Sequence, residues 1–81
     1  MTDDEILSRL RDILVENFEI AAEAVTPDAH LYQDLGLDSI DAVDLAIKVQ
    51  HLTGKRIKPD EFKHVRTVGD VVTTARQLLA D

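Results

Sequence analysis

The sequence has no cysteine and no tryptophan, and only three glycines and two prolines among its 81 residues. Without cysteine, the chain's own residues cannot build a disulfide framework, a thiolate zinc knuckle or a thiol nucleophile. Gly36, Gly54 and Gly69 stand too far apart to form a phosphate-cradling loop. No apolar run approaches the length of a membrane span, and no charged segment followed by an apolar stretch opens the chain. The expectation is a soluble cytoplasmic protein. His30, His51 and His64 lack the i, i+3 or i, i+4 pairing of a helical metal site. Catalysis by a bundle this small is not expected either, because a general acid or base needs a desolvated site to shift its pKa.

What is present is a globular composition, 44% hydrophobic and 31% charged, on a length suited to a single domain over residues 1–81. The net charge of −7 argues against nucleic-acid binding, which relies on cations against phosphates. The charge is unevenly placed. Residues 1–47 carry 12 acidic and 2 basic side chains, whereas residues 48–66 carry 2 acidic and 6 basic ones. A partner can therefore tell two regions of the surface apart.

Hydrophobic periodicity predicts helices throughout. Thr2 with Glu5 forms a capping-box pattern ahead of Ile6, Leu10, Ile13 and Leu14, which indicates a helix from about Thr2 to Phe18. A long connection follows to Leu37, punctuated at Thr26-Pro27-Asp28, with a short turn near 21–24. We expect Ile20, Val25, Leu31, Leu35 and Leu37 to pin it to the core. A second helix starts at Asp38 or Ser39 and runs to about Leu52, with Gly54 as its stop. Apolar residues cover most of its circumference, leaving Asp41, Asp44, Lys48 and His51 as a narrow polar stripe. Pro59-Asp60-Glu61 opens a short helical turn that includes Phe62 and Val65. Thr67 with Asp70 caps a last helix facing inward through Val68, Val71, Val72, Ala75 and Leu79. The expected fold is all-α, a four-helix bundle of three main helices and one short helix.

Chemistry concentrates at Asp34-Leu35-Gly36-Leu37-Asp38-Ser39-Ile40, where apolar anchors deliver a serine to the start of the most apolar helix. Read plainly, Ser39 or Asp38 is the N-cap of that helix. Read functionally, a phosphate ester there is favoured by the helix dipole and the free N–H groups. Leu35-Gly36-Leu37-Asp38-Ser39-Ile40, continued by Asp41-Ala42-Val43-Asp44-Leu45, resembles the signature of the acyl carrier protein family, and the order of elements is similar along nearly the whole chain. The resemblance implies a bacterial type II, stand-alone carrier, monomeric when free, with 4′-phosphopantetheine from coenzyme A attached at Ser39. It implies that a phosphopantetheinyl transferase makes the attachment with magnesium and that Asp38 helps to position that metal. The reactive sulfur would then arrive on the cofactor, consistent with a chain that has no cysteine. Partner enzymes would dock on the acidic second helix through Asp41 and Asp44, with Ile40, Val43 and Ile47 as apolar contacts. The acyl pocket would involve Phe62 and Val65, and Phe62 is larger than the family tends to have there.

The chain departs from fatty-acid-synthesis carriers in its basic flank, which includes Lys48, Lys63 and Arg66 as candidate docking residues. Such a flank favours some partners and repels those built for an acidic one. In this it is similar to carriers of specialised type II fatty-acid or polyketide systems, including those that make aryl polyene pigments. The implied partners are a ketosynthase, a ketoreductase, a dehydratase and acyl-loading enzymes. A peptidyl or D-alanyl carrier and an unmodified protein-interaction bundle are the alternatives. Peptidyl carriers tend to place His-Ser or Gly-Gly before the modified serine, where this chain has Leu37-Asp38.

Overall fold

The computed structural model describes residues 1–58 and 62–80. It comprises helix α1 (Asp3–Phe18), a single 3-10 turn (Ala22–Ala24), helix α2 (Ser39–Thr53) and helix α3 (Val68–Ala80). No strand occurs among the described residues, and one isolated bridge joins His30 to Thr67. The all-α expectation therefore stands. The short helical turn expected at Pro59-Asp60-Glu61 lies outside the described residues.

α1 begins where its capping box predicts. The Glu5 N–H donates to Thr2 Oγ1 and the Thr2 N–H donates to Glu5 Oε1, each at 3.2 Å. Two of the N–H groups that sit at the start of a helix without an intrahelical partner, or just before it, are thereby satisfied. Ile6, Leu10 and Leu14 are fully buried, while Ile13 only packs against the edge of the core. α1 packs chiefly against α3, and α2 lies against both. On α3 the inward face is Val68, Val71, Val72, Ala75 and Leu78; the expected Leu79 is half-buried beside them. Positions three and four beyond Ala75 straddle the helix stripe, and Leu78 is the more deeply buried of the two.

The connection from Glu19 to Asp38 is held by its side chains and by its backbone. Val25, Leu31, Leu35 and Leu37 are buried as expected, Ala29 joins them, and Ile20 is half-buried. The Arg11 guanidinium donates to the Val25 carbonyl at 3.1 Å. The same connection stitches itself to the start of α3. Val68 N–H donates to Ala29 O at 3.0 Å, Gly69 N–H to Pro27 O at 2.9 Å, and Leu31 N–H to Arg66 O at 2.9 Å. The first N–H groups of α3, which no intrahelical carbonyl can reach, are thus satisfied by the loop. A Cβ at Gly69 would stand 3.0 Å from Pro27 O, so the absence of a side chain there permits the close approach.

Candidate functional site

Gly36 turns the chain into the site. Its φ of +71° lies in the left-handed region that glycine occupies without strain, and Leu35 and Leu37 on either side of it are buried. This arrangement presents Asp38 and Ser39 at the surface. Asp38 is the N-cap of α2: its Oδ1 accepts from the Asp41 N–H at 2.8 Å, and Asp41 Oδ2 accepts in return from the Asp38 N–H at 3.2 Å. The helix end is closed by carboxylates, and the serine has no part in it. Ser39 occupies the first helical position, exposed, with no hydrogen bond to its hydroxyl among the described residues. At the other end of α2, Gly54 adopts φ +70° and its N–H donates to Gln50 O at 2.8 Å.

α2 sends Ala42, Leu45, Val49 and Thr53 inward. Ile40, Val43 and Ile47 then have no cover and are 77%, 62% and 42% exposed. Together with Ser39, Asp41 and Asp44 they line a shallow outer hollow. Isolated exposed apolar residues are ordinary, but a row of three beside two carboxylates on one helix face has the character of a contact surface.

A groove of about 530 Å³ opens on the inner side of Ser39. One wall is α2, through Ser39, Ala42, Val43, Ala46, Ile47 and Gln50. Tyr32, Ile57, Phe62 and Lys63 form the other. Gln50 Oε1 accepts from the Ile57 N–H at 2.8 Å and so ties the two walls together. Tyr32 is placed by a turn in which His30 O accepts from the N–H groups of Asp34 and Leu35, while His30 Nδ1 accepts from those of Tyr32 and Gln33.

The structure thus brings Ser39, Ile40, Asp41, Val43, Asp44 and Ile47 onto one side of α2, with Phe62 and Lys63 across the groove. Other candidate residues lie elsewhere. Val65 is buried in the core and does not line the groove. Lys48 faces α1 in a separate hollow shared with Arg9, Asp12 and Glu16. Arg66 is exposed, and its backbone holds both Leu31 and Asp70. Tyr32, Gln50 and Ile57 are groove residues that periodicity does not reveal, since each reaches the site through a turn or a long-range hydrogen bond. Among the described residues no cluster of three metal-ligating side chains exists. The free hydroxyl, the unpartnered N–H groups of the first helical turn beside it and the apolar groove leading away fit a phosphate ester bearing a long, partly apolar arm.

Comparison with known proteins agrees with that chemistry. A family profile described as a phosphopantetheine attachment site matches residues 8–75. The chain is 64% identical over 80 residues to acyl carrier protein 2 of Ralstonia nicotianae, covering 99% of each chain. It is 33% identical over 73 residues to an acyl carrier protein of Lactobacillus acidophilus, covering 90% of this chain and 91% of that one. It is 32% identical over 78 residues to the meromycolate extension acyl carrier protein of Mycobacterium leprae, covering 96% of this chain and 68% of that one. On the profile match and on identity along almost its whole length, the chain belongs to the acyl carrier protein family, whose members are carriers and not enzymes and bear 4′-phosphopantetheine.

Proposed function

We propose that Ser39 is the residue that bears the phosphopantetheine arm, and that the protein shuttles acyl intermediates among the enzymes of a specialised type II fatty-acid or polyketide pathway, such as one making aryl polyenes. The observation that carries the attachment assignment is the division of roles at the start of α2, where Asp38 does the capping and leaves the Ser39 hydroxyl exposed and uncommitted. That hydroxyl gives up its proton and attacks the phosphate on the pantetheine half of coenzyme A; the pyrophosphate P–O bond breaks and adenosine 3′,5′-bisphosphate leaves, while the free N–H groups of the first turn favour the negative charge placed there. Asp38 keeps Oδ2 outside the cap and available to a metal ion held by the transferase. The arm supplies a thiol that holds the acyl group as a thioester.

Ile40, Val43 and Ile47 are the apolar contacts for cytoplasmic partner enzymes such as a ketosynthase, a ketoreductase or a dehydratase, and Asp41 and Asp44 steer basic patches toward them. The pathway assignment is supported by the cationic flank, where Arg56, Lys58, Lys63 and Arg66 are all exposed. An enzyme adapted to an acidic surface there would meet cations instead.

Intact-mass measurement after incubation with coenzyme A, magnesium and a broad-specificity transferase tests the attachment. The expected result is a gain of one phosphopantetheine group on the natural chain and none on Ser39→Ala, whose fold is preserved because the cap belongs to Asp38. An unchanged mass for the natural chain would leave the unmodified interaction bundle as the better reading.

A further inference from the structure

The groove beside Ser39 is apolar in its walls but not in its polar groups. Gln50 Oε1 is engaged by the Ile57 N–H at 2.8 Å, and a backbone N–H can only face the oxygen of a side-chain amide, so the bond fixes which way the amide points. Both hydrogens of Gln50 Nε2 are then left without an acceptor among the described residues. Lys63, on the opposite wall, makes no ion pair among those residues and adds an ammonium with three further donors. Tyr32 adds a hydroxyl, and among the described residues no carboxylate lines the groove. Among the described residues, the hydrogen-bonding groups that face the groove between Ser39 and its far end are therefore donors in excess. Gln50 stands eleven residues beyond Ser39, roughly 16 Å along the helix axis at 1.5 Å per residue. Its donors serve the distal end of whatever the serine carries and not the phosphate.

We propose that this groove selects acyl groups bearing an acceptor oxygen beyond the thioester, such as 3-oxoacyl groups, over saturated hydrocarbon chains, with Gln50 and Lys63 as the residues that read the oxygen. The inference rests on Ser39 being the attachment residue. Its physical basis is an asymmetry in recognition. Apolar walls distinguish hydrocarbon chains only weakly, whereas donors left facing hydrocarbon lose their hydration and receive nothing in return. A site with placed donors therefore discriminates strongly against the ligand that lacks the matching acceptor. The ammonium of Lys63 strengthens the contact, since hydrogen bonds from a charged donor are shorter and stronger than neutral ones.

The test compares four forms of the protein by NMR: unmodified, carrying the bare arm, and carrying octanoyl or 3-oxooctanoyl groups as hydrolysis-resistant amide analogues, each verified by intact mass. The expected result is that the Gln50 side-chain NH₂ resonances keep their bare-arm positions in the octanoyl form and move in the 3-oxooctanoyl form. Gln50→Glu retains an oxygen for the Ile57 N–H and removes both donors. With the Ile57 amide resonance in place as proof of fold, this variant should show no difference in thermal midpoint between the two loaded forms, whereas the natural chain is more stable with the 3-oxo group. Lys63→Met should narrow that difference. Equal NH₂ positions in the two loaded forms would overturn the inference. So would a shift already complete with the bare arm, which would assign the acceptor to the arm's own amides. Failure to gain mass at Ser39 is a separate outcome that overturns the attachment assignment and this inference with it.

Discussion

Asp38 and Ser39 are both residue types that cap helices well, and in this protein they divide the work. The carboxylate closes the helix end and the hydroxyl is left without a hydrogen-bond partner among the described residues. Replacing Asp38 with Ala should cost about 0.5–2 kcal/mol in a denaturant titration, the usual penalty for losing an N-cap. Ser39→Ala should change stability by less than about 0.5 kcal/mol, as an exposed substitution away from any cap. A larger loss from Ser39→Ala than from Asp38→Ala would show that the serine had been the structural residue. The importance of the dipeptide was legible from its position before an apolar helix and from the glycine that precedes it. Which residue capped was not, because Asp and Ser cap about equally well and the two candidates differ only by a one-residue shift of the helix start. Gln50 was less legible still. Its partner Ile57 lies past the Gly54 reversal, and no helical spacing relates the two.

Two helix ends show how local chemistry sets the elements. α1 stops at Glu19, which adopts φ +56° and donates its N–H to Leu14 O. This left-handed position is one that a side chain disfavours and glycine does not. Glu19→Gly is expected to stabilise the protein by about 0.5–1 kcal/mol, visible as a higher thermal midpoint. A lower midpoint would mean that the Glu19 side chain makes contacts outweighing the strain. At the start of α3, the N–H groups of Arg66 and Thr67 both donate to Asp70 Oδ2 and hold its carboxyl below its ordinary value. The folded state thus binds this proton less readily than the unfolded chain, whose carboxyl titrates normally. The stabilisation is complete above the ordinary carboxylate pKa and fades as pH falls from there through the lowered one. Acid titration should show a smaller loss of stability across that window in Asp70→Asn than in the natural chain. The helices themselves were readable from caps and periodicity, and their boundaries fell within a residue or so of expectation. The choice of Leu78 over Leu79 was not readable, because both positions fall at the edge of the same apolar stripe and only packing against the rest of the bundle separates them.

Across the whole molecule, the acidic and cationic regions meet around the Ser39 groove, with Asp41 and Asp44 on α2 and Lys63 on the opposite wall. Exposed charges act on approach more than on the final complex, so reversing those on the flank should alter rates. Arg56→Glu with Arg66→Glu is expected to slow association with the protein's own partner enzymes and to flatten its dependence on salt, with little change in dissociation rate. Stopped-flow binding at several ionic strengths would measure this, and an unchanged association rate would relegate the flank to solubility. The two signs of charge were visible in the sequence. That the carboxylates of α2 and Lys63 flank Ser39 from two sides was not, since no helical spacing relates them.

The hydrogen bonds from the start of α3 to the loop add a consequence in time. Pro27 O and Ala29 O, which hold the approach to Ser39 in shape, take their protons from Gly69 and Val68, about forty residues later in the chain. A chain still being synthesised can form α1 and begin α2, yet these two carbonyls lack their backbone partners until Val68 and Gly69 have been made. The first two amides of α3 thus complete a loop that lies about forty residues earlier in the chain.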